Sequence, residues 1–297
     1  MTEGYRSGFI SIIGSPNVGK STLLNQMVGQ KVSIVSERAQ TTRNRVMGVL
    51  SRPNFQIVFL DTPGVTAPKN KLGEYMLKVA YDALNEVDVI LFMADGQRGI
   101  GPKDEALMLR LKEAKAPVVA AINKTDRMSL GDVDEAREKL LAAGFFADIL
   151  TVSALEGRGL DALEKRLASF LEPGPHYFPE DMVTDQPERF VVSEIIREKA
   201  LELLDQEVPH GIAVEVELIE EAEKPGLLNI RANIYCEKES HKRIIIGKGG
   251  SMLKKIGTLA RGDIEGLLGC RVFLELWVKV KKDWRNTAGS LSAFGYQ

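Results

Sequence analysis

The sequence predicts a chain in two parts: an α/β unit on a doubly wound, mostly parallel sheet, then a smaller α+β unit. Three observations carry this. Short apolar runs alternate with longer amphipathic stretches as far as Leu171, a proline-rich stretch then breaks the pattern, and the charge changes sign further on. Strand–helix alternation gives a parallel sheet covered on both faces, with ligands at the carboxyl ends of its strands.

The runs Phe9–Ile13, Gln56–Leu60, Val87–Ala94, Pro117–Asn123 and Ile149–Ser153 read as strands. Ser21–Val28, Leu72–Asn85, Asp104–Lys115, Val133–Ala143 and Leu160–Leu171 read as the helices between and after them. In EPGPHYFPEDMVTDQPERF, Pro173, Pro175, Pro179 and Pro187 leave no helical period, so this stretch reads as an ordered linker. The expected divisions are 7–172 for the first domain, 173–189 for the linker and 190–297 for the second domain. That second part should begin with a helix over Phe190–Gln206, which has Val192, Ile195, Ile196, Leu203 and Leu204 on one side. Strands near Ile212–Glu221 and Leu227–Glu237 follow, with a turn at Lys224–Pro225–Gly226 between them. A helix near Glu239–Ile246, a glycine bend, a helix to about Leu268 and a strand within CRVFLELWVKVKKDW complete it.

Of the 297 residues, 44% are hydrophobic and 27% charged, as in water-soluble globular proteins. Cys236 and Cys270 fit no metal-ligand spacing and read as idle thiols in a reducing compartment. The first residues lead straight into a glycine-rich segment, which makes them a first strand and not a signal peptide. No apolar run approaches the ~20 residues of a membrane span. A cytoplasmic protein is expected, with peripheral membrane attachment left open. Between Ser240 and Arg285 there are 11 Lys/Arg against 4 Asp/Glu, a balance of +7 that leaves −9 for residues 1–239. A basic back end behind an acidic front suggests a polyanionic partner for the second part.

GSPNVGKS fits the phosphate-loop pattern, with Gly14, Gly19, Lys20 and Ser21 in place, strand-like FISII before it and helix-like STLLNQMV after it. In such a P-loop, consecutive backbone N–H groups turn inward around the β-phosphate, Lys20 bridges β and γ oxygens, and Ser21 ligates Mg²⁺. LDTPG sets Asp61 at a strand end, where its carboxylate can hold Mg²⁺ through water. Thr62, Pro63 and Gly64 follow, and the Gly64 N–H can meet the γ-phosphate. NKTD then selects the base. The Asp126 carboxylate can accept from the ring N–H and the amino group of guanine, whereas adenine would leave it a partner short. Asn123 should brace the loop and touch the purine, the stem of Lys124 should cover it, and Ser153–Ala154 should present the Ala154 N–H to the guanine oxygen.

Between these stations lies AQTTRNRV, where Thr42, with Thr41 second, can reach Mg²⁺ and sense the γ-phosphate. This loop and TPGVTAPKNK are expected to act as switches ordered by GTP. Val65 stands where fast Ras-type hydrolases carry a water-orienting glutamine, and His176, His210 and His241 all fall outside the first domain. A slow intrinsic GTPase results, with Lys20, Asn17 and Thr42 as its catalytic candidates. The Asn17 side chain either helps hold a K⁺ in the transition state or merely shapes the loop.

IIIGKGG contains the bend Gly247-Lys248-Gly249-Gly250, with basic residues around it and in the following helix. In a KH module such a bend brings backbone close to single-stranded nucleic acid. Ile244–Ile246 would form an apolar platform under bases, and Lys242, Arg243, Lys248 and Lys254 would meet phosphates. The element order is that of the bacterial, type II KH fold.

With PNVGKS, QTTR, DTPG and NKTD in one domain and IIIGKGG in the next, nearly the whole chain resembles the Era family of bacterial GTPases. The resemblance implies a Ras-like P-loop NTPase domain and binding to the 3′ end of 16S ribosomal RNA, with a role in 30S subunit assembly. It also implies GTP-enhanced RNA binding, RNA-stimulated hydrolysis, some association with the cytoplasmic membrane face, and no DNA partner. By the same resemblance, GTP contacts fall on Asn17–Thr22, Asp61–Gly64 and Asn123–Asp126, and RNA contacts around Ile244–Lys255. Two alternatives are a membrane-bound signalling GTPase whose second domain binds lipid or protein, and an RNA-binding assembly factor without meaningful turnover.

Overall fold

The computed structural model describes residues 4–296 apart from 37, 39 and 86. Ala39 of the expected switch segment and Gln297 at the expected end of the second domain lie outside the described residues. By packing, the chain divides into two compact units. The first comprises the chain to Val35 with Thr42–Pro68 and Met76–Asp185; the second comprises Ser36–Thr41, Lys69–Tyr75 and the chain from Gln186.

In the first part the elements run β1 (Arg6–Gly14), α1 (Lys20–Val28), β2 (Val46–Arg52), β3 (Phe55–Asp61), α2 (Lys71–Asp82) and β4 (Val89–Asp95). They continue α3 (Pro102–Leu111), β5 (Val118–Asn123), α4 (Leu130–Ala143), β6 (Asp148–Thr151) and α5 (Leu160–Ser169). The six-stranded sheet has the order β2-β3-β1-β4-β5-β6, parallel except for β2, which is antiparallel to β3. This is the expected doubly wound sheet. Its central strands are buried on both faces, as apolar runs covered by helices must be, and all seven residues of β4 are buried.

β2 was not anticipated. VMGVLSR is buried at five consecutive positions, so it lacks the alternation that marks a strand. Gly48 within it lets α1 come close, since a Cβ there would lie 2.5 Å from Leu24 Cδ1. The proline-rich stretch runs beside this edge strand, with Val49 N–H donating to Val183 O at 2.8 Å and Thr184 Oγ1 to Met47 O at 2.7 Å. The fully buried Gln56 fastens it, accepting from Tyr177 and Phe178 N–H and donating to Phe178 O.

The second part consists of α6 (Glu188–Leu203), β7 (Ala213–Glu221), β8 (Leu227–Cys236), α7 (Glu239–Ile246), α8 (Ser251–Leu268), β9 (Arg271–Val280) and α9 (Ala288–Ala293). Its sheet has the order β7-β8-β9, antiparallel then parallel. A parallel neighbour needs a crossover, and α7 and α8 supply it. Val192, Ile196, Ile234, Ile256, Ala260 and Ile264 form the centre of the core between helices and sheet. The short α9 had no sequence signal, because AGSLSA carries neither a cap nor an apolar stripe.

Candidate functional site

Four parallel strands end at one edge of the first sheet and bring Gly14, Asp61, Asp95 and Asn123 into neighbouring register. The phosphate loop leaves β1 at Gly14, where a Cβ would meet Met93 O at 2.4 Å; only glycine fits this approach. Asn17 adopts a φ of 65°, a left-handed conformation that asparagine tolerates. Gly19, with φ 101°, precedes α1 and would thrust a Cβ to 2.3 Å from Asn123 Nδ2. The α1 N-terminus has no side-chain cap and no acidic residue in its first turn, which leaves its N–H groups and dipole for an anion. Buried Lys20 donates from Nζ to Gly14 O (3.3 Å) and Ser15 O (3.2 Å). Burial pulls its pKa down to about 8, opposed by the nearby Asp61 carboxylate.

Asp61 is the last residue of β3 and fully buried. Its Oδ2 accepts from Ser21 Oγ at 2.6 Å, Ser33 Oγ at 2.9 Å and Thr42 Oγ1 at 3.3 Å, while Oδ1 has no partner. The Ser21 and Thr42 hydroxyls lie 2.9 Å apart. Burial raises the Asp61 pKa, and Lys20 and the three hydroxyls pull against that rise. An orphaned carboxylate oxygen beside two hydroxyls suits a hard cation such as Mg²⁺, which takes oxygen ligands and retains water. Thr41 turns away to bond Arg38 O at 2.7 Å, so Thr42 is the threonine at this cluster. Beyond Asp61, Thr62 Oγ1 donates to Ile12 O, Pro63 is buried, and Gly64 packs so closely that a Cβ would lie 2.7 Å from Pro16 Cα. The Val65 N–H donates to Gly14 O at 3.2 Å, and its side chain packs against the apolar cluster around Ile90 and Phe92.

At the other end of the site, Asn123 joins three segments. Its Nδ2 donates to Val18 O at 2.8 Å, and its Oδ1 accepts the Ala154 N–H at 2.9 Å. The Ala154 N–H, expected to face a guanine oxygen, is thus engaged by Asn123 here. Lys124, with φ 68°, pairs through Nζ with the buried Asp95 carboxylate at 2.7 Å. Asp126 Oδ1 accepts from Ser153 Oγ at 2.6 Å, which is the main cause of its lowered pKa.

Sequence reasoning passed over Asp95, Ser33 and the Ser15–Asp104 hydrogen bond of 2.6 Å, all buried. Only Asp95 had a signal, since like Asp61 it ends a parallel strand with a carboxylate. His176 lies in the proline-rich stretch, away from the site. Its ring stacks on Tyr5 at 3.8 Å, just before β1 and at the opposite end of that strand from the site.

In the second unit, α7 stops at Gly247 (φ 74°), where a Cβ would lie 2.8 Å from both Met252 N and Cβ. Gly249 (φ 61°) and Gly250 (φ 80°) complete the bend and hand over to α8, whose first turn has no acidic residue and no side-chain cap. Arg243, Lys248 and Lys254 are exposed around it, and Lys242 is half-buried. Ile244 is 49% exposed and Ile246 partly buried against the core. Ile245 does not join them. Three residues of one helical turn cannot face the same way, and Ile245 is fully buried in the core.

Fold and site define the class, a P-loop GTPase unit followed by a type II KH module. Residues 9–124 match the family described as "50S ribosome-binding GTPase" and residues 207–285 the KH domain. The chain is 55% identical over 293 residues to GTPase Era of Alkaliphilus metalliredigens, covering 99% of each chain. It is 48% identical to GTPase Era of Clostridioides difficile, covering 98% of this chain and 99% of the relative. The chain belongs to the Era GTPase family. Among solved structures it is similar to Era in complex with MgGDPNP and nucleotides 1506–1542 of 16S ribosomal RNA, with a TM-score of 0.95, 44% identity and coverage of 98% and 99%. It is also similar to a point variant of Aquifex aeolicus Era bound to GDP·AlF4−, with a TM-score of 0.92 at 44% identity and the same coverage.

Proposed function

We propose that this chain is a GTP-driven switch on RNA, binding the 3′ region of small-subunit ribosomal RNA and acting in 30S assembly. Lys20 and the N–H groups of Asn17–Thr22 hold the phosphates, and Ser21, Thr42 and Asp61 (the last through water) hold Mg²⁺. Bound there, Mg²⁺ would neutralise charge on the nucleotide's phosphates. Among the described residues no group of three or more His, Cys, Asp or Glu converges, so one carboxylate, two hydroxyls and the nucleotide's own oxygens would carry the ion. Asp126 selects guanine, the stem of Lys124, drawn toward Asp95, covers the ring, and Asn123 fixes both loops. Val65 offers no side-chain group to orient water, and the rate rests on positioning by Lys20, Thr42 and Asn17, the last as a K⁺ ligand.

The observation that carries the nucleotide reading is the buried Asp61 carboxylate with one orphaned oxygen beside Lys20, Ser21 and Thr42. For RNA it is the glycine bend with exposed Ile244, Lys248 and Lys254 about it, in a chain 44% identical to an Era solved with a 16S RNA fragment. A cytoplasmic location with peripheral contact at the inner membrane face belongs to this reading; no helix among the described residues is long and apolar enough to cross a membrane. Crosslinking in cells with GTP-locked protein, followed by sequencing of bound RNA, should recover the 16S 3′ region. Recovery of no ribosomal RNA would sink the proposal, as would retention of that RNA by a protein in which Gly249→Asp has put a carboxylate into the bend.

A further inference from the structure

Three hydroxyls converge on Asp61 Oδ2, and only two of them belong to the motifs that hold nucleotide and ion. The third is Ser33, 3% exposed, at 2.9 Å. It lies past the end of α1 in a stretch without regular structure, yet it is tightly held. Asn25, on α1, receives the Val32 and Ser33 N–H groups on Oδ1, both at 2.9 Å, and donates from Nδ2 to Ser33 O at 2.7 Å. One side-chain amide thus satisfies three backbone groups and holds the Ser33 backbone in place.

The three donors differ in what fixes them. Ser21, though on α1, is a proposed ligand, so a bound ion would claim its hydroxyl. Thr42 belongs to the segment proposed to order and release with the γ-phosphate. Ser33 is neither a proposed ligand nor part of the proposed switch, and it is tied to the framework of the domain through Asn25 and α1. We infer that Ser33 is a positioning residue for the metal site. It pins Asp61 Oδ2 throughout the nucleotide cycle, so that the orphaned Oδ1 stays aimed at the water shell of Mg²⁺, and Asn25 locks it in place. Partners behind a metal's ligands commonly set affinity for the ion, and losing one typically costs about 10–100-fold.

The inference rests on the Mg²⁺–nucleotide reading above, and release of a fluorescent GDP analogue separates the two. In wild-type protein, Mg²⁺ should slow release relative to excess EDTA; equal rates would overturn the reading itself. In Ser33→Ala the rate in EDTA should stay within twofold of wild type, while the Mg²⁺ concentration giving half of the slowing should rise about tenfold. An unchanged Mg²⁺ requirement, or an equal loss of affinity with and without Mg²⁺, overturns the inference, because the second result is what general damage to the loop would produce. Asn25→Ala provides a second route that leaves the hydroxyl in place. It should shift the Mg²⁺ requirement in the same direction by a smaller factor, and failure to shift it counts against the lock.

Discussion

Replacing Asn123 by alanine removes a side chain that ties the phosphate loop to both base-binding loops. Asn123 is 2% exposed, and its partners Val18 and Ala154 are 0% and 1% exposed, so the Val18 carbonyl and the Ala154 N–H would be left buried and unpaired. At about 1–3 kcal/mol for each such group, the change costs on the order of 3 kcal/mol. If the loops hold their shape, this appears as lost folding stability. If they relax, it appears as weaker GDP binding, up to about a hundredfold. Urea unfolding of the nucleotide-free protein together with a GDP titration captures both shares. Asn123→Asp keeps an acceptor for Ala154 but sets a carboxylate oxygen against Val18 O, and should be at least as damaging. A combined loss below about 0.5 kcal/mol in Asn123→Ala would refute the reasoning, since it would mean that the two groups find partners elsewhere at no cost.

Three more outcomes are expected. With its pKa held at about 8 in the nucleotide-free fold against 10.5 when exposed, Lys20 is charged but poorly solvated at neutral pH. The unfolded chain therefore binds the extra proton between pH 8 and 10.5, and stability should rise across that window by roughly 3 kcal/mol at most. Denaturation curves from pH 7 to 10 should show this slope, and Lys20→Met or saturating GDP should remove it. Lys248→Ala should lower the slope of log affinity for single-stranded RNA against log salt by about 0.7, with GDP affinity unchanged in the same preparation. Because the Val65 side chain contributes only apolar packing, Val65→Ala should leave the rate of GTP turnover within about threefold, as measured by phosphate release.

Sequence periodicity located the strands well where helices bury both faces, and poorly where it had to find an edge. β2 escaped because its burial is continuous and Gly48 interrupts its β-branched character for the sake of contact with α1. In the site, residues whose chemistry requires fixed spacing along the chain were legible: Lys20, Ser21, Asp61 and Asp126 are positioned by strand ends and tight turns that the motifs encode. Ser33, Asn25 and Asp104 were not, because each acts across segments that only folding brings together. A lone serine in a loop, or an asparagine on a helix, looks like any solvated residue. The isoleucine triplet shows the reverse failing, for three adjacent apolar residues read as a single surface until helical geometry turned Ile245 inward.

The central claim is that this edge of the sheet reads guanine, and Asp126 tests it most directly. A carboxylate accepts both donors on guanine's edge, whereas the asparagine of Asp126→Asn offers one acceptor and one donor, matching the N–H and carbonyl of xanthine. Wild-type protein should prefer GDP to XDP, and Asp126→Asn should reverse the order, each by about a hundredfold or more in competitive titration. A variant that keeps the wild-type preference for GDP would show that Asp126 does not read the base, and would contradict the account.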